Sequence, residues 1–219
     1  MNEPLLAIET TGRVLSVALH SKYGDVAERR SSGYLSHLTD LMPTVSELLA
    51  SGGVELASLG AIAVSAGPGS FTGIRIGVSA VRAMAQVTGL PVIEVPTLET
   101  FVYGYGPGDI VCPMLDARRG QWYCGAYRLA CKPGGIETFV PGAARDAEEF
   151  EAILAVALRA SGAEDAPRRY VRDGDEPQSA AKVLKWARDL GNTMSYALLE
   201  PIYMRKATAQ ERLDAKTYT

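Results

Sequence analysis

Apolar and polar positions fall into short blocks whose period changes several times along the chain. Leu5 to Glu9 is an apolar run that turns polar at Thr10-Thr11-Gly12, and Val14 to His20 is a second run. The two predict a β-hairpin, with Gly12 supplying the turn's backbone freedom. Val26 to Arg30 predicts a third strand. Leu38, Leu41, Met42, Val45, Leu48 and Leu49 then recur at spacings of three and four, which predicts a helix with one apolar stripe, ended by Gly52-Gly53. Leu59 to Ser65 is almost unbroken in its hydrophobicity, the pattern of a strand covered on both faces. A glycine-rich joint comes next, Ser65 to Gly77 (SAGPGSFTGIRIG). Thr72 to Thr88 predicts a second helix, stopped by Gly89 and Pro91, and Val92 to Val95 a strand stopped by Pro96.

Up to Pro96 the order is therefore β-β-β-α-β-α-β. Three meandering strands precede an alternation of helix and strand. This is the core order of actin-like and ribonuclease-H-like folds, and it differs from a Rossmann start, which alternates from its first strand. Beyond it, Ile110 to Asp116 and Gln121 to Leu129 predict a hairpin about Ala117-Arg118-Arg119-Gly120, with Ile136 to Val140 as its neighbour. Ala147 to Ala160 and Ser179 to Leu190 predict helices, a short strand is expected at Tyr170, and another over Leu198 to Met204. Arg205 to Thr219 reads as a polar tail. Each half has a β-rich start, but no long sequence repeat links them.

Composition narrows the function. The net charge of −3 gives no overall basic field, so contact with RNA would be local or made through a partner. The three cysteines, Cys112, Cys124 and Cys131, form no C-x-x-C, which argues against a disulfide framework and a zinc ribbon and for reduced thiols in the cytoplasm. The start MNEPLLAIETTG is not expected to be a signal peptide, and no apolar run reaches the ~18 residues of a membrane span.

Four groups of residues carry candidate chemistry. Gly67, Gly69, Gly73 and Gly77 give G-x-G-x-x-x-G, one residue off the dinucleotide pattern and without the lysine of a P-loop. Two readings stand: an anion held at a helix N-terminus, or close packing along a glycine flank. At the first turn, Thr10, Thr11 and Gly12 offer hydroxyls and N–H groups to a phosphate, while Glu9 stands where an actin-like ATPase carries Asp. The two histidines, His20 and His37, form no H-x-x-x-H, so a metalloprotease lacks ligands. Ser70 is outside G-x-S-x-G, and Ser70 or Thr72 is expected to cap the second helix. Asp116, Arg118 and Arg119 form a charged hairpin tip, read as a solvated turn or a contact facing a partner or RNA.

Ala63 to Ile76, AVSAGPGSFTGIRI, is similar to the signature of the TsaB (YeaZ) family. So are Leu6 to Thr11, Ser36-His37 with Pro43, Pro91 with Val95 and Leu98-Glu99, Asp116-Ala117-Arg118 and Pro201 to Arg205. The resemblance covers most of the chain and is weakest over Pro141 to Glu176. It implies an α/β, actin-like ATPase (ASKHA, ribonuclease-H-like) fold of two lobes, residues 1–97 and 98–219, with mixed sheets that begin with an antiparallel β-meander. It implies a non-catalytic, cytoplasmic scaffold for synthesis of threonylcarbamoyladenosine in tRNA. There it would pair with the catalytic paralogue TsaD and the ATPase TsaE, reach tRNA indirectly, and pair with itself when TsaD is absent. The metal-binding histidines of TsaD are missing here. No metal is expected, and no cofactor beyond weak ATP or ADP at a vestigial site of Thr10, Thr11 and Gly12. The expected interface comprises His37, Leu41, Met42, Val45, Gly69, Ser70, Phe71, Gly73, Arg75, Gly77, Ala80 and Met84, with Leu49 adding apolar contact. Gly73, Gly77 and Ala80 are expected to let a partner helix approach, so that Gly77→Arg would block binding and leave the fold intact. The competing readings are an actin-like small-molecule kinase or ATPase acting alone, and a peptidase.

Overall fold

The computed structural model describes residues 3–31, 36–130, 135–172 and 174–205. Two mixed sheets organise the chain. The first contains β1 (Leu5–Glu9), β2 (Ser16–His20), β3 (Val26–Arg30), β4 (Ala61–Gly67) and β5 (Val92–Pro96), in the order β3-β2-β1-β4-β5. β1 pairs antiparallel with β2 and parallel with β4, and β4 pairs parallel with β5. Alternation along β1 sends Leu6 and Ile8 to one face and Leu5 and Ala7 to the other. The first face packs on α1 (His37–Ser51) and α2 (Phe71–Thr88), through Leu41, Val45, Leu48, Ile74, Val78 and Val81. Both faces are covered, which is why β1 and β4 read as unbroken apolar runs.

The second sheet contains β6 (Ile110–Arg118), β7 (Gln121–Leu129), β8 (Ile136–Arg145) and β9 (Arg168–Arg172), in the order β8-β7-β6-β9. β6-β7 and β7-β8 are antiparallel and β6-β9 is parallel. The arrangement repeats the first four strands of the first sheet, so the β-rich start of each half is a repeat of topology without a repeat of sequence. α3 (Ala147–Ser161) connects β8 to β9 and covers one face with Phe150, Leu154 and Leu158. A 3-10 segment, Thr97–Gly104, covers the other with Leu98, Phe101 and Val102.

The repeat then breaks. α4 (Ala180–Leu190) leaves the second sheet and lies on the open face of the first. Ala7, Ala18, Ala61 and Ala63 line that face, and α4 meets them with Ala180, Val183, Leu184 and Ala187. Small residues on both sides bring the helix close. The expected lobe boundary near residue 97 falls where the chain leaves β5, and α4 returns across it. Leu198 to Met204, expected as a strand, is instead a 3-10 turn at Tyr196–Leu198 followed by an irregular strap. Pro201 has no N–H for a ladder, and the strap crosses to β4 by a backbone bond from Ile202 N to Ala66 O at 2.7 Å. Of the expected tail, residues 206–219 lie outside the described residues.

A remote carboxylate holds α4 in place. Ser179, at its N-cap, makes no side-chain cap of its own. Glu28 of β3 does so: its Oε1 accepts from Ala181 N at 3.2 Å, from Ser179 Oγ at 2.7 Å and from Ser16 Oγ at 2.6 Å. Burial works against the ionised form, but these donors prevail and hold the carboxyl below its ordinary range. A group depressed on folding stabilises above its unfolded pKa and loses that effect as pH falls through the folded one. Glu28→Ala is expected to cost about 1–3 kcal/mol in urea unfolding at pH 7. The advantage of wild type over Glu28→Gln should shrink as pH falls below 4.5, the ordinary value. An equal advantage at acid and neutral pH contradicts the capping role.

Candidate functional site

The glycine joint closes on the first turn of its own chain. Ser70 caps α2, accepting from Gly73 N at 3.3 Å, and its own N–H donates to Thr11 O at 2.8 Å. Thr10 Oγ1 donates to Gly73 O at 2.8 Å. A Cβ at Gly73 would overlap the Thr10 carbonyl oxygen, and one at Gly77 would overlap the Thr10 hydroxyl. Gly73 and Gly77 are therefore buried against the β1–β2 turn and do not form an outer flank for a partner helix. This corrects their assignment to the interface. Gly77→Arg would disrupt the fold rather than probe binding. Gly69 is half-buried against Thr11, and Ser70 is exposed at the cap.

The turn itself is turned inward. Thr10 and Thr11 are buried, as is Glu9. Glu9 Oε1 accepts from Thr11 N at 2.5 Å and from Thr11 Oγ1 at 2.6 Å, while Oε2 has no partner among the described residues. The Thr11 donors that would face a phosphate thus point at Glu9, and Gly12 packs under the Gln178 side chain. Burial pushes the Glu9 carboxyl above the ordinary carboxylate range. His37, expected at the interface, is buried, with Nε2 at 3.1 Å from Gly12 O, and burial lowers its pKa. The ring ties the start of α1 to the same turn.

The outer side of α1 and α2 is different. α2 carries two apolar stripes with the same spacing of four, three and four: Ile74, Val78, Val81 and Ala85 inward, and Ile76, Ala80, Ala83 and Val87 outward. One stripe suffices to cover a sheet. Val87 is 87% exposed. On α1 the predicted stripe also divides: Leu41, Val45, Leu48 and Leu49 are buried, whereas Leu38 is 78% and Met42 49% exposed. Between the helices lies a groove of about 560 Å³, walled by Leu38, Met42, Phe71, Arg75, Ile76 and Ala80. At its end the Arg75 guanidinium sits 4.0 Å over the Phe71 ring, and Arg75 Nε donates to Tyr203 OH at 3.0 Å. Of the expected interface, Met42, Phe71, Arg75 and Ala80 line this groove. Leu41 reaches it only from the core, and Val45 and Met84 are buried in the core. The sequence reading missed Leu38 as an outward residue, and Ile76, Ala83 and Val87 altogether. The second stripe of α2 was the available signal.

The seat of α2 can be tested directly. Gly77→Ala is expected to cost about 1–3 kcal/mol by overpacking, and adding Thr10→Ala should recover part of it, because the clash is with the Thr10 hydroxyl. Additive losses in a double-mutant cycle contradict the contact. For Glu9 the sign is opposite to Glu28: a raised pKa stabilises at low pH and loses that effect as pH rises from 4.5 through the folded value. Glu9→Gln should flatten this acid-to-neutral decline in unfolding experiments, and an unaltered decline would assign it elsewhere.

Comparison with known proteins gives a consistent picture. Residues 13–137 match the family model described as TsaD, tRNA N6-adenosine threonylcarbamoyltransferase. The tRNA threonylcarbamoyladenosine biosynthesis protein TsaB of Bacillus subtilis (strain 168) is 36% identical over 138 residues, which are 63% of this chain and 59% of that protein. The chain spans little more than half the length of the curated TsaB relatives it matches. Among solved structures, YeaZ from Pseudomonas aeruginosa superposes with a TM-score of 0.73 at 27% identity, covering 92% of this chain and 99% of that one. A Pseudomonas aeruginosa protein described as similar to peptidase YEAZ superposes with a TM-score of 0.76 at 26% identity, covering 93% of this chain and all of that one. The signature residues, the two-sheet architecture and these matches agree, and the chain belongs to the TsaB/YeaZ family.

Proposed function

We propose that this protein is a non-catalytic, actin-like scaffold in the synthesis of threonylcarbamoyladenosine in tRNA, and that the α1–α2 groove is where it docks the catalytic paralogue TsaD. The observation that carries this reading is the outward stripe Ile76, Ala80, Ala83 and Val87 beside Leu38 and Met42. Leu38, Met42, Phe71 and Val87 are exposed and Ile76 and Ala80 half-buried, and apolar side chains left in water in such a group mark an interface. Its small residues suit the close approach of another helix. The sheet orders β3-β2-β1-β4-β5 and β8-β7-β6-β9 support the actin-like reading. The paralogue's catalytic role leaves this chain the task of supporting it, with TsaE joining the assembly and the work done in the cytoplasm, where tRNA is modified. In the paralogue's absence the same groove would pair two copies of this chain.

The enzyme alternative is a small-molecule kinase or ATPase. The inward Thr11 donors and the length of Glu9 speak against it, since a phosphate would compete with Glu9 for both donors. At most weak ATP or ADP binding is expected.

Reconstitution separates the readings. With TsaD, TsaE and TsaC, the enzyme that supplies threonylcarbamoyl-adenylate in that system, all present, tRNA modification should require this chain, and the isolated chain should not turn over ATP. Val87→Asp or Met42→Asp should weaken association with TsaD by roughly a hundredfold or more, since each buries an unpaired charge in an apolar contact. The melting temperature should change little, because both positions are exposed. Modification at full rate without this chain, or unchanged association of both variants, overturns the scaffold reading. Magnesium-dependent ATP turnover by the isolated chain establishes the alternative.

A further inference from the structure

The β6–β7 hairpin turns through three successive residues in the left-handed region: Arg118 (φ 67°), Arg119 (φ 56°) and Gly120 (φ 75°). Left-handed backbone crowds the Cβ of an L residue against the following carbonyl oxygen and is disfavoured. Arg118 lies at a register shift, where a bulge of this kind ordinarily carries glycine. Arg119 precedes Gly120 in the two-residue turn, where asparagine or glycine is ordinary. Two arginines thus occupy backbone positions that suit residues with little or no side chain. Both are exposed, and the Arg118 side chain is 86% so, despite its contact with Asp116 at 3.3 Å. That ion pair stabilises little at such exposure, so it does not account for an arginine on left-handed backbone.

The tip is gripped from outside by the strap. Arg205 Nη1 donates to Ala117 O at 2.9 Å. Two residues earlier, Tyr203 accepts from Arg75 and stacks on Phe71 with ring centroids 4.9 Å apart. Arg75, Arg205, Arg118 and Arg119 therefore stand along one connected line, from the start of α2 to the hairpin tip. The chain as a whole carries −3, whereas this line sets four guanidiniums against the one carboxylate of Asp116. Guanidinium forks match phosphate oxygens. Tyr203, 41% exposed, adds a ring on which an unpaired base can stack.

We propose that this arginine line binds the phosphate backbone of RNA, so that the chain touches tRNA itself and does not reach it only through its paralogue. The proposal rests on the scaffold reading above. It predicts an unusual pairing of effects. Arg118→Gly with Arg119→Asn puts relaxed residues at the strained positions while removing two charges. The double variant should melt a few degrees higher than wild type. In the assembled complex with TsaD and TsaE, its tRNA affinity by fluorescence anisotropy should fall about tenfold. The slope of log affinity against log salt, between about 50 and 200 mM, should drop by about two. Arg118→Lys with Arg119→Lys keeps the charge and should keep the slope. Intact assembly with unchanged tRNA affinity and slope overturns this proposal alone. Loss of assembly with TsaD in the Gly/Asn variant makes the tip a protein contact and also overturns it. Failure of the wild-type chain to assemble sinks the scaffold reading and this proposal together.

Discussion

The contact between Thr10 and α2 governs how the first half of the molecule is arranged. Gly73 and Gly77 have no side chains, so α2 lies directly on the β1–β2 turn, with the Thr10 hydroxyl bonded to the Gly73 carbonyl. That contact sets the rotation of α2 about its axis. With the glycines down, Ile74, Val78 and Val81 enter the core, and Ile76, Ala80, Ala83 and Val87 must face out. The exposed groove is thus a consequence of how tightly the helix is seated. The same contact turns Thr11 inward, toward Glu9.

α4 is the second structural decision. It belongs by sequence to the half that builds the second sheet, yet it covers the alanine-lined face of the first. Glu28 makes this specific, because it replaces the cap that Ser179 does not supply. The strap from Leu199 to Arg205 crosses in the same sense, from Ala66 to the β6–β7 tip. The two sheets are therefore joined by side-chain and main-chain contacts that no local pattern encodes.

Local signals were sufficient for the strands and helices. Alternation and run length located β1 to β5, and the three-four spacing located α1 and α2. The apolar run over Leu198 to Met204 predicts a strand, but Pro201 lacks an N–H and the run forms no ladder, crossing instead with Ile202 N on Ala66 O. Thr97 to Gly104 was not anticipated, because a 3-10 segment buried against a sheet has too short a period to stand out. For the candidate site, residue types were recognised better than directions. Of the residues expected at the interface, Met42, Phe71, Arg75 and Ala80 line the groove, while His37, Val45 and Met84 are interior.

By itself the sequence determined the order of β1 to β9 and α1 to α4, the glycine joint with its helix cap, the lack of an H-x-x-x-H motif, and the family. These depend on neighbours within a few positions, or on strings of residue types in fixed order. Tertiary structure alone decided which side of each helix meets the core, that the glycines pack against Thr10, and that Glu9 takes the donors of Thr11. It also decided that Arg118 and Arg119 adopt left-handed backbone beside Arg205. Each of these joins residues far apart in the chain, and a periodic pattern gives the phase of a helix only relative to itself. The direction of that phase comes from what the helix is packed against.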